Sequence, residues 1–315
     1  MRVAVIAGGR TPERDVSQRG GHRVMLSLQE LGHTAWALDP AEVPLSERLQ
    51  EDRPDLCWLA LHGKEGEDGT VQRLLNLLGI PHTGTSAFDC GIAFDKVLAK
   101  DALLRAGVPT PPWAVVEGSA LRDLGAGASL GAALERVGLP CMVKPSRSGS
   151  ALGVGTVERD TDLPDAVMAA LSFSDAVLIE AKVLGREVAC GLVGDPLEAL
   201  PVVEIVPKEG GVYDYAARYT AGATDYFVPA RLSDEEATTV RDAAHRSATA
   251  LGQRGITRVD LIVDPGGTPW VLEVNVSPGM TETSLVPMAA QAAGVSLAQL
   301  CDRVIHATPT GGARD

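Results

Sequence analysis

The chain has 315 residues, 45% of them hydrophobic and 4% aromatic, with a formal net charge of -13. That length allows two or three domains with their own cores. The acidic balance argues against a broad nucleic-acid or anionic-membrane surface, so an anionic ligand needs a locally positive pocket, and no apolar run is long enough to span a bilayer.

In chain order, residues 2–7 are predicted as a strand, followed by a Gly-rich loop, a helix over about 16–31 and a strand over 34–38. A strand at 56–61 precedes a helix at about 70–78. Strands alternating with helices point to a parallel α/β sheet. The run Gly107-Val-Pro-Thr-Pro-Pro-Trp113 breaks this pattern and opens a new unit. Strands at about 141–144, 154–157 and 177–181 suggest a small α+β unit. From about residue 186 come further strands and helices at about 234–252 and 296–306, and the tail, 308–315, is expected to fray. Cys57, Cys90, Cys141, Cys190 and Cys301 are scattered, without zinc or disulfide spacing. They read as small buried apolar residues of a chain in a reducing cytoplasm. The opening MRVAVIAGG is too short and strand-like for a secretory leader.

The densest chemistry lies in RVDLIVDPGGTPWVLEVN. Read with period two, it is a strand, a turn at Pro265-Gly266-Gly267 and a second strand, with Arg258 and Asp260 on one face and Glu273 and Asn275 on another. A hairpin can merge those faces. The result is a cation beside two carboxylates and an amide, hard oxygen donors that suit Mg²⁺, which keeps its other positions for water and phosphate. The alternative is a polar face open to solvent, weakened by the apolar residues that flank Glu273.

Three loops follow predicted strands. Ala7-Gly8-Gly9-Arg10-Thr11-Pro12-Glu13 lacks G-x-G-x-x-G, which disfavours a nicotinamide oxidoreductase. There Glu13 either pairs with a substrate amine or is a first-turn carboxylate favoured by the helix dipole. His62, opening a Gly-rich loop, is either a ligand contact or a hydrogen-bonded structural residue. The loop from Lys144 to Gly155, rich in Ser and Gly, either wraps phosphate with its backbone N–H groups or is an ordinary hairpin loop; it is not a Walker loop.

Together, GGRTPERDVS, LHGKEGEDGT, GIPHTGT, FDKVLAK, VKPSRSGSALGV, YDYAARYTAG and LEVNVSPGMTETSLVP resemble, in order, the D-alanine–D-alanine ligase family of the ATP-grasp superfamily. The resemblance implies an α/β fold with an α+β central domain, divided as 1–95, 96–184 and 185–315. It implies two D-alanines joined at the expense of ATP through an acyl phosphate, for peptidoglycan precursor synthesis. By resemblance, Asp260, Glu273 and Asn275 hold Mg²⁺, or Mn²⁺ in its place. Lys96, Lys144 and Ser150 serve the ATP phosphates and purine region. Glu180 meets the adenine amine, with the backbone of Ala181 and Val183 beside it, and Glu187 binds ribose. Glu13, with His62 nearby, binds the first substrate's ammonium, Arg258 its carboxylate, and Ser284 with the backbone of Leu285 the second substrate's carboxylate. Ser150 and Tyr219 link a lid over about 206–224 to Glu13. Departures from the family pattern are Arg218 for Lys, Val276 for Thr, His82 for Tyr and Arg73 for Gly. They leave open a related dipeptide ligase of a specialised pathway, joining other amino acids. A homodimer is the family's implication, and the acidic charge adds the expectation of no nucleic-acid or membrane partner. A nucleotide-binding regulator without turnover would have little reason to keep both Glu13 and Ser284.

Overall fold

The computed structural model describes residues 1–149, 151–208, 213, 217, 220 and 222–309. Its first sheet is parallel and three-stranded, in the order β2-β1-β3, from β1 (Arg2–Ile6), β2 (Thr34–Leu38) and β3 (Leu56–Leu59). Alternation along β1 feeds two cores. Val3 and Val5 pack with Val24 and Leu28 of the helix Arg14–Glu30, whereas Ala4 and Ile6 pack with Leu49 and Leu75 on the other face. Burial on both faces is what a parallel sheet with helical crossovers requires. The helix starts two residues before its expected position, and β3 stops at Leu59, so the chain reaches His62 as loop.

The second sheet is antiparallel, in the order β4-β7-β5-β6, from β4 (Trp113–Glu117), β5 (Cys141–Pro145), β6 (Gly155–Val157) and β7 (Ala176–Ala181). Cys141, Val143, Val177 and Ile179 pack onto Val167 and Ala170 of the helix Leu163–Leu171. The intervening Met142, Lys144 and Glu180 therefore face the opposite way, into a cleft.

The third sheet is antiparallel, ordered β11-β10-β8-β12-β13 with β9 on β8. It comprises β8 (Arg186–Gly194), β9 (Glu198–Ala199), β10 (Val203–Pro207), β11 (Thr224–Phe227), β12 (Gly255–Val263) and β13 (Pro269–Asn275). Val259, Leu261, Val271 and Val274 bury against Val240 and Ala244 of the helix Asp234–Ala250, which starts in a capping box between Ser233 and Glu236.

The pattern of one parallel sheet followed by antiparallel sheets bears out the fold-class expectation. Several short helices were not anticipated, among them Leu45–Asp52, Ala87–Phe94, Lys96–Arg105, Leu130–Val137 and Leu285–Ala292. Local caps start two of them: Ser86 accepts from Asp89 N–H, and Asp95 from Val97 N–H. Of the tail expected to fray from 308, Thr308 is instead buried and bonds back to Val304 O and Ile305 O, and 310–315 lie outside the described residues. Among the described residues, no helix is long and apolar enough to cross a membrane.

All five cysteines are unbridged and buried. Burial pushes the thiols of Cys57, Cys190 and Cys301 up to about 12. The folded chain should therefore react with a thiol-specific chromogen far more slowly than the chain in denaturant, where all five respond. One fast equivalent in the native protein would contradict this.

Candidate active site

In the β12–β13 hairpin, Arg258 lies opposite Asn275 and Asp260 opposite Glu273, so the two polar faces do merge. A β-bulge follows Asp260: its neighbour Leu261 pairs with Val271, and Leu272 is the extra residue. Leu272 and Glu273 both line the cleft, while Val271 and Val274 stay in the core. Asp264 ties the turn, accepting from the N–H groups of Gly266 and Thr268 and from the Trp270 indole at 2.8 Å. Arg258 Nε and Nη2 donate to the two oxygens of Asp260 at 2.7 and 2.8 Å. Burial acts to lower the Arg258 pKa, but the Asp260 carboxylate outweighs it and raises the net value, so the guanidinium stays charged. Glu273 lies 3.8 Å from Lys96 Nζ. Among the described residues, no three Asp, Glu, His or Cys side chains gather as a metal cluster. Two carboxylates facing each other across the hairpin, with an amide one pair along, instead fit a hard cation that takes its remaining ligands from phosphate and water.

Facing this hairpin, Glu180 is 1% exposed and receives Lys144 on Oε1 and Lys100 on Oε2, each at 2.5 Å. Burial works to raise the Glu180 pKa and both ammonium groups act against it, holding the carboxyl below its ordinary range. Lys96 opens the helix Lys96–Arg105 and donates from Nζ to Ser148 O at 2.7 Å, which brings the Ser/Gly loop over the cleft.

Glu13 occupies the N-cap position of Arg14–Glu30, yet its side chain caps no helix N–H. Its buried carboxylate is turned to the loops instead. A Cβ added to Gly63 would lie 2.4 Å from Glu13 Oε2, and one added to Gly149 3.1 Å from it. Gly63, with its φ of +71°, is where glycine is required, whereas a methyl at Gly149 would displace Glu13 only slightly. His62 Nδ1 lies 3.6 Å from Glu67, and Gly279 permits a similarly close approach to Ser284. Ser284 precedes the helix Leu285–Ala292 but caps no N–H of it, and its hydroxyl pairs with Thr281 at 2.8 Å. Ser284 and Leu285, at the start of this helix, both line the pocket, and the amides of a first helical turn suit an anion.

These residues gather in two adjoining chambers. Lys144, Glu180, Ala181, Val183, Glu187 and Asp260 line one. Glu13, His62, Arg258, Asn275, Ser284 and Leu285 line the other. Lys96, Ser148, Tyr213 and Glu273 border both. Of the expected site residues, Ser150, Arg218 and Tyr219 fall outside the described residues, as does much of the expected lid. Sequence reading missed Lys100, Tyr213 and Glu67. The FDKVLAK run could have flagged Lys100, since helical spacing of four puts it on the same side as Lys96.

Gly63 offers a test. Its φ of +71° and the 2.4 Å approach to Glu13 mean that Gly63→Ala strains the backbone and displaces the carboxylate. KM for the amino substrate should rise roughly tenfold or more, with nucleotide affinity near wild type. An unchanged KM would detach Glu13 from amine recognition.

A parallel α/β sheet ahead of two antiparallel sheets that close on a shared cleft defines the ATP-grasp class. A family profile described as "D-ala D-ala ligase C-terminus" matches residues 103–306. The D-alanine–D-alanine ligase of Gloeobacter violaceus is 43% identical, over 97% of this chain and 98% of that protein. That of Pelotomaculum thermopropionicum is 40% identical, over 97% and 96%. Among solved structures, the D-alanine–D-alanine ligase of Bacillus anthracis complexed with ATP superposes with a TM-score of 0.80 at 30% identity, over 98% and 96% of the two chains. The VanG D-Ala:D-Ser ligase of Enterococcus faecalis gives 0.81 at 27% identity, over 96% and 98%. The chain belongs to the D-alanine–D-alanine ligase family.

Proposed function

We propose that the chain joins two D-alanines into D-alanyl-D-alanine with consumption of ATP, for peptidoglycan precursor synthesis. The observation that carries this reading is the opening of the nucleotide-sized cleft, at Glu273 and Lys96, onto a second pocket that holds Glu13, Arg258 and Ser284. Family relatives of about equal length support the same reaction.

A carboxylate is a poor acyl donor because its leaving group would be oxide, and phosphorylation removes that obstacle. Phosphoryl transfer needs positioning and charge neutralisation above all. Lys96, Lys144 and the Ser148–Ser150 loop take the triphosphate, with Arg218 adding a cation. Glu180 and the backbone of Ala181 and Val183 meet the adenine, and Glu187 takes the ribose. Asp260, Glu273 and Asn275 would hold Mg²⁺, which neutralises the phosphate charge when bound. In the second pocket Glu13, with His62 nearby, binds the ammonium of the first D-alanine. Arg258 holds its carboxylate and later the oxyanion that forms when the second amine attacks the acyl phosphate. Ser284 and the amide of Leu285 hold the second carboxylate. Ser150 and Tyr219 link the lid to Glu13 and so close the site.

The three sheets support a division at 1–95, 96–184 and 185–315. We infer a cytoplasmic homodimer on the family's precedent. Of the departures from the family pattern, Val276 lines the substrate pocket and bears on substrate choice, whereas Arg218 bears on phosphate contact. Phosphate release measured with ATP alone, with D-alanine, and with pairs of D- and L-amino acids tests the reading. D-alanine should stimulate release most and yield the dipeptide. No stimulation by any pair would sink the ligase assignment, and preference for another pair would redirect it to a specialised ligase.

A further inference from the structure

One buried cation in the fold has no part in the reaction outlined above. Lys100, on the helix Lys96–Arg105, is 1% exposed. Its Nζ lies 2.5 Å from Glu180 Oε2, donates to Thr110 Oγ1 at 2.6 Å and to Pro111 O at 3.2 Å. The ammonium thus has one ion pair and two hydrogen bonds around it. It also sits 5.3 Å from the centroid of the Trp113 ring, and Trp113 pairs with Glu180 across β4 and β7.

Glu180 thus carries two ammonium groups with different surroundings. Lys144 lines the nucleotide cleft, whereas Lys100 lies behind the carboxylate and does not line it. A buried carboxylate stripped of its counterions is strongly disfavoured. If Lys144 turns toward a nucleotide, Glu180 still needs a fixed cation, and Lys100 in the wall behind it supplies one. The anchor is rigid. Thr110 donates on to Val271 O at 2.9 Å, and Val271 N–H donates to Pro109 O at 2.8 Å. Val271 belongs to β13, two residues before Glu273, so Lys100 ties the purine end of the cleft to the strand that carries the metal-facing carboxylate.

We propose that Lys100 is a positioning residue: it holds Glu180 charged and oriented toward the exocyclic amine of an adenine nucleotide, which releases Lys144 to engage that nucleotide. The inference rests on the reading that Glu180 faces the adenine.

The test compares ATP with inosine triphosphate, in which an exocyclic carbonyl oxygen replaces the exocyclic amine, as phosphoryl donors to D-alanine. Wild type, Lys100→Met and Lys100→Arg are assayed by steady-state phosphate release, with thermal melting as a check of folding. Wild type should prefer ATP. Lys100→Met should raise KM for ATP roughly tenfold or more, leave kcat within about threefold, and shrink the ATP preference toward unity, as expected from loss of a charge-assisted contact. Lys100→Arg should recover part of the preference. A merely structural lysine would lower folded enzyme without moving the ratio. An ATP preference kept intact in folded Lys100→Met overturns the inference alone. A wild type indifferent to the two nucleotides overturns the adenine reading itself. Should Lys100→Met fail to fold, Thr110→Val, which removes the anchoring hydroxyl, reads the same ratio, and an unchanged ratio there is equally fatal.

Discussion

Glu273→Gln is expected to lower phosphate-releasing turnover by roughly two to three orders of magnitude while the protein melts near its wild-type temperature, because a charged clamp on the transferring phosphate is lost. Glu273 borders both chambers and faces Asp260 across the hairpin, with its side chain 32% exposed. Removing its charge therefore disturbs the site more than the core. Asp260→Asn should cost similar turnover but behave differently in melting. Arg258 is buried and fork-bonded to Asp260, and the variant leaves that guanidinium without its counter-charge. Removing one partner of a buried pair costs about 3–5 kcal/mol. The pair of variants thus separates the two carboxylates that the hairpin sets face to face. Turnover and melting temperature, measured on both at saturating ATP and Mg²⁺, decide the matter. Near-normal turnover in folded Glu273→Gln would remove the hairpin from phosphate chemistry.

The hairpin was legible in the sequence because three signals agree there: period-two alternation, a Pro-Gly-Gly turn, and polar residues set among Val and Leu. The bulge that displaces Leu272 was not legible, since an extra residue is accommodated by twist and backbone hydrogen bonding rather than by composition. Glu13 was legible as a candidate only. Its choice between helix dipole and ligand depends on where Gly63 and Gly149 bring two distant loops, which no local pattern encodes. Lys100 illustrates the opposite limit. A lysine by itself reads as solvent-facing, and only Glu180, brought in from β7, and the hydroxyl of Thr110 make its burial tolerable. The short helix Ala87–Phe94, apolar on nearly every side, carries no clear period by which a sequence pattern could announce it.

Arg258→Lys keeps the charge and should nonetheless lose most of the reaction. Lysine offers one ammonium on a flexible stem, where arginine offers a planar fork. In the fold, two donors of that fork, Nε and Nη2, are committed to Asp260, and the residue also lines the pocket that holds Glu13 and Ser284. A single ammonium cannot keep the paired bonds to Asp260 and still present a directed donor to the pocket. The groups that would bind the nucleotide, Lys144, Glu180, Ala181 and Val183, lie in the neighbouring chamber and are untouched. Nucleotide affinity, read by calorimetry, should stay within about threefold of wild type, and turnover should fall roughly 10²–10³-fold, the size expected for removing a preorganised oxyanion donor. The loss should appear in kcat even at saturating D-alanine, because the oxyanion forms only after both substrates are in place. If Arg258→Lys instead recovers full kcat when D-alanine is raised, the guanidinium holds a ground-state carboxylate and nothing more, and the stabilisation of the tetrahedral intermediate has to be sought in the backbone amides of the loop around Gly279 and Ser284.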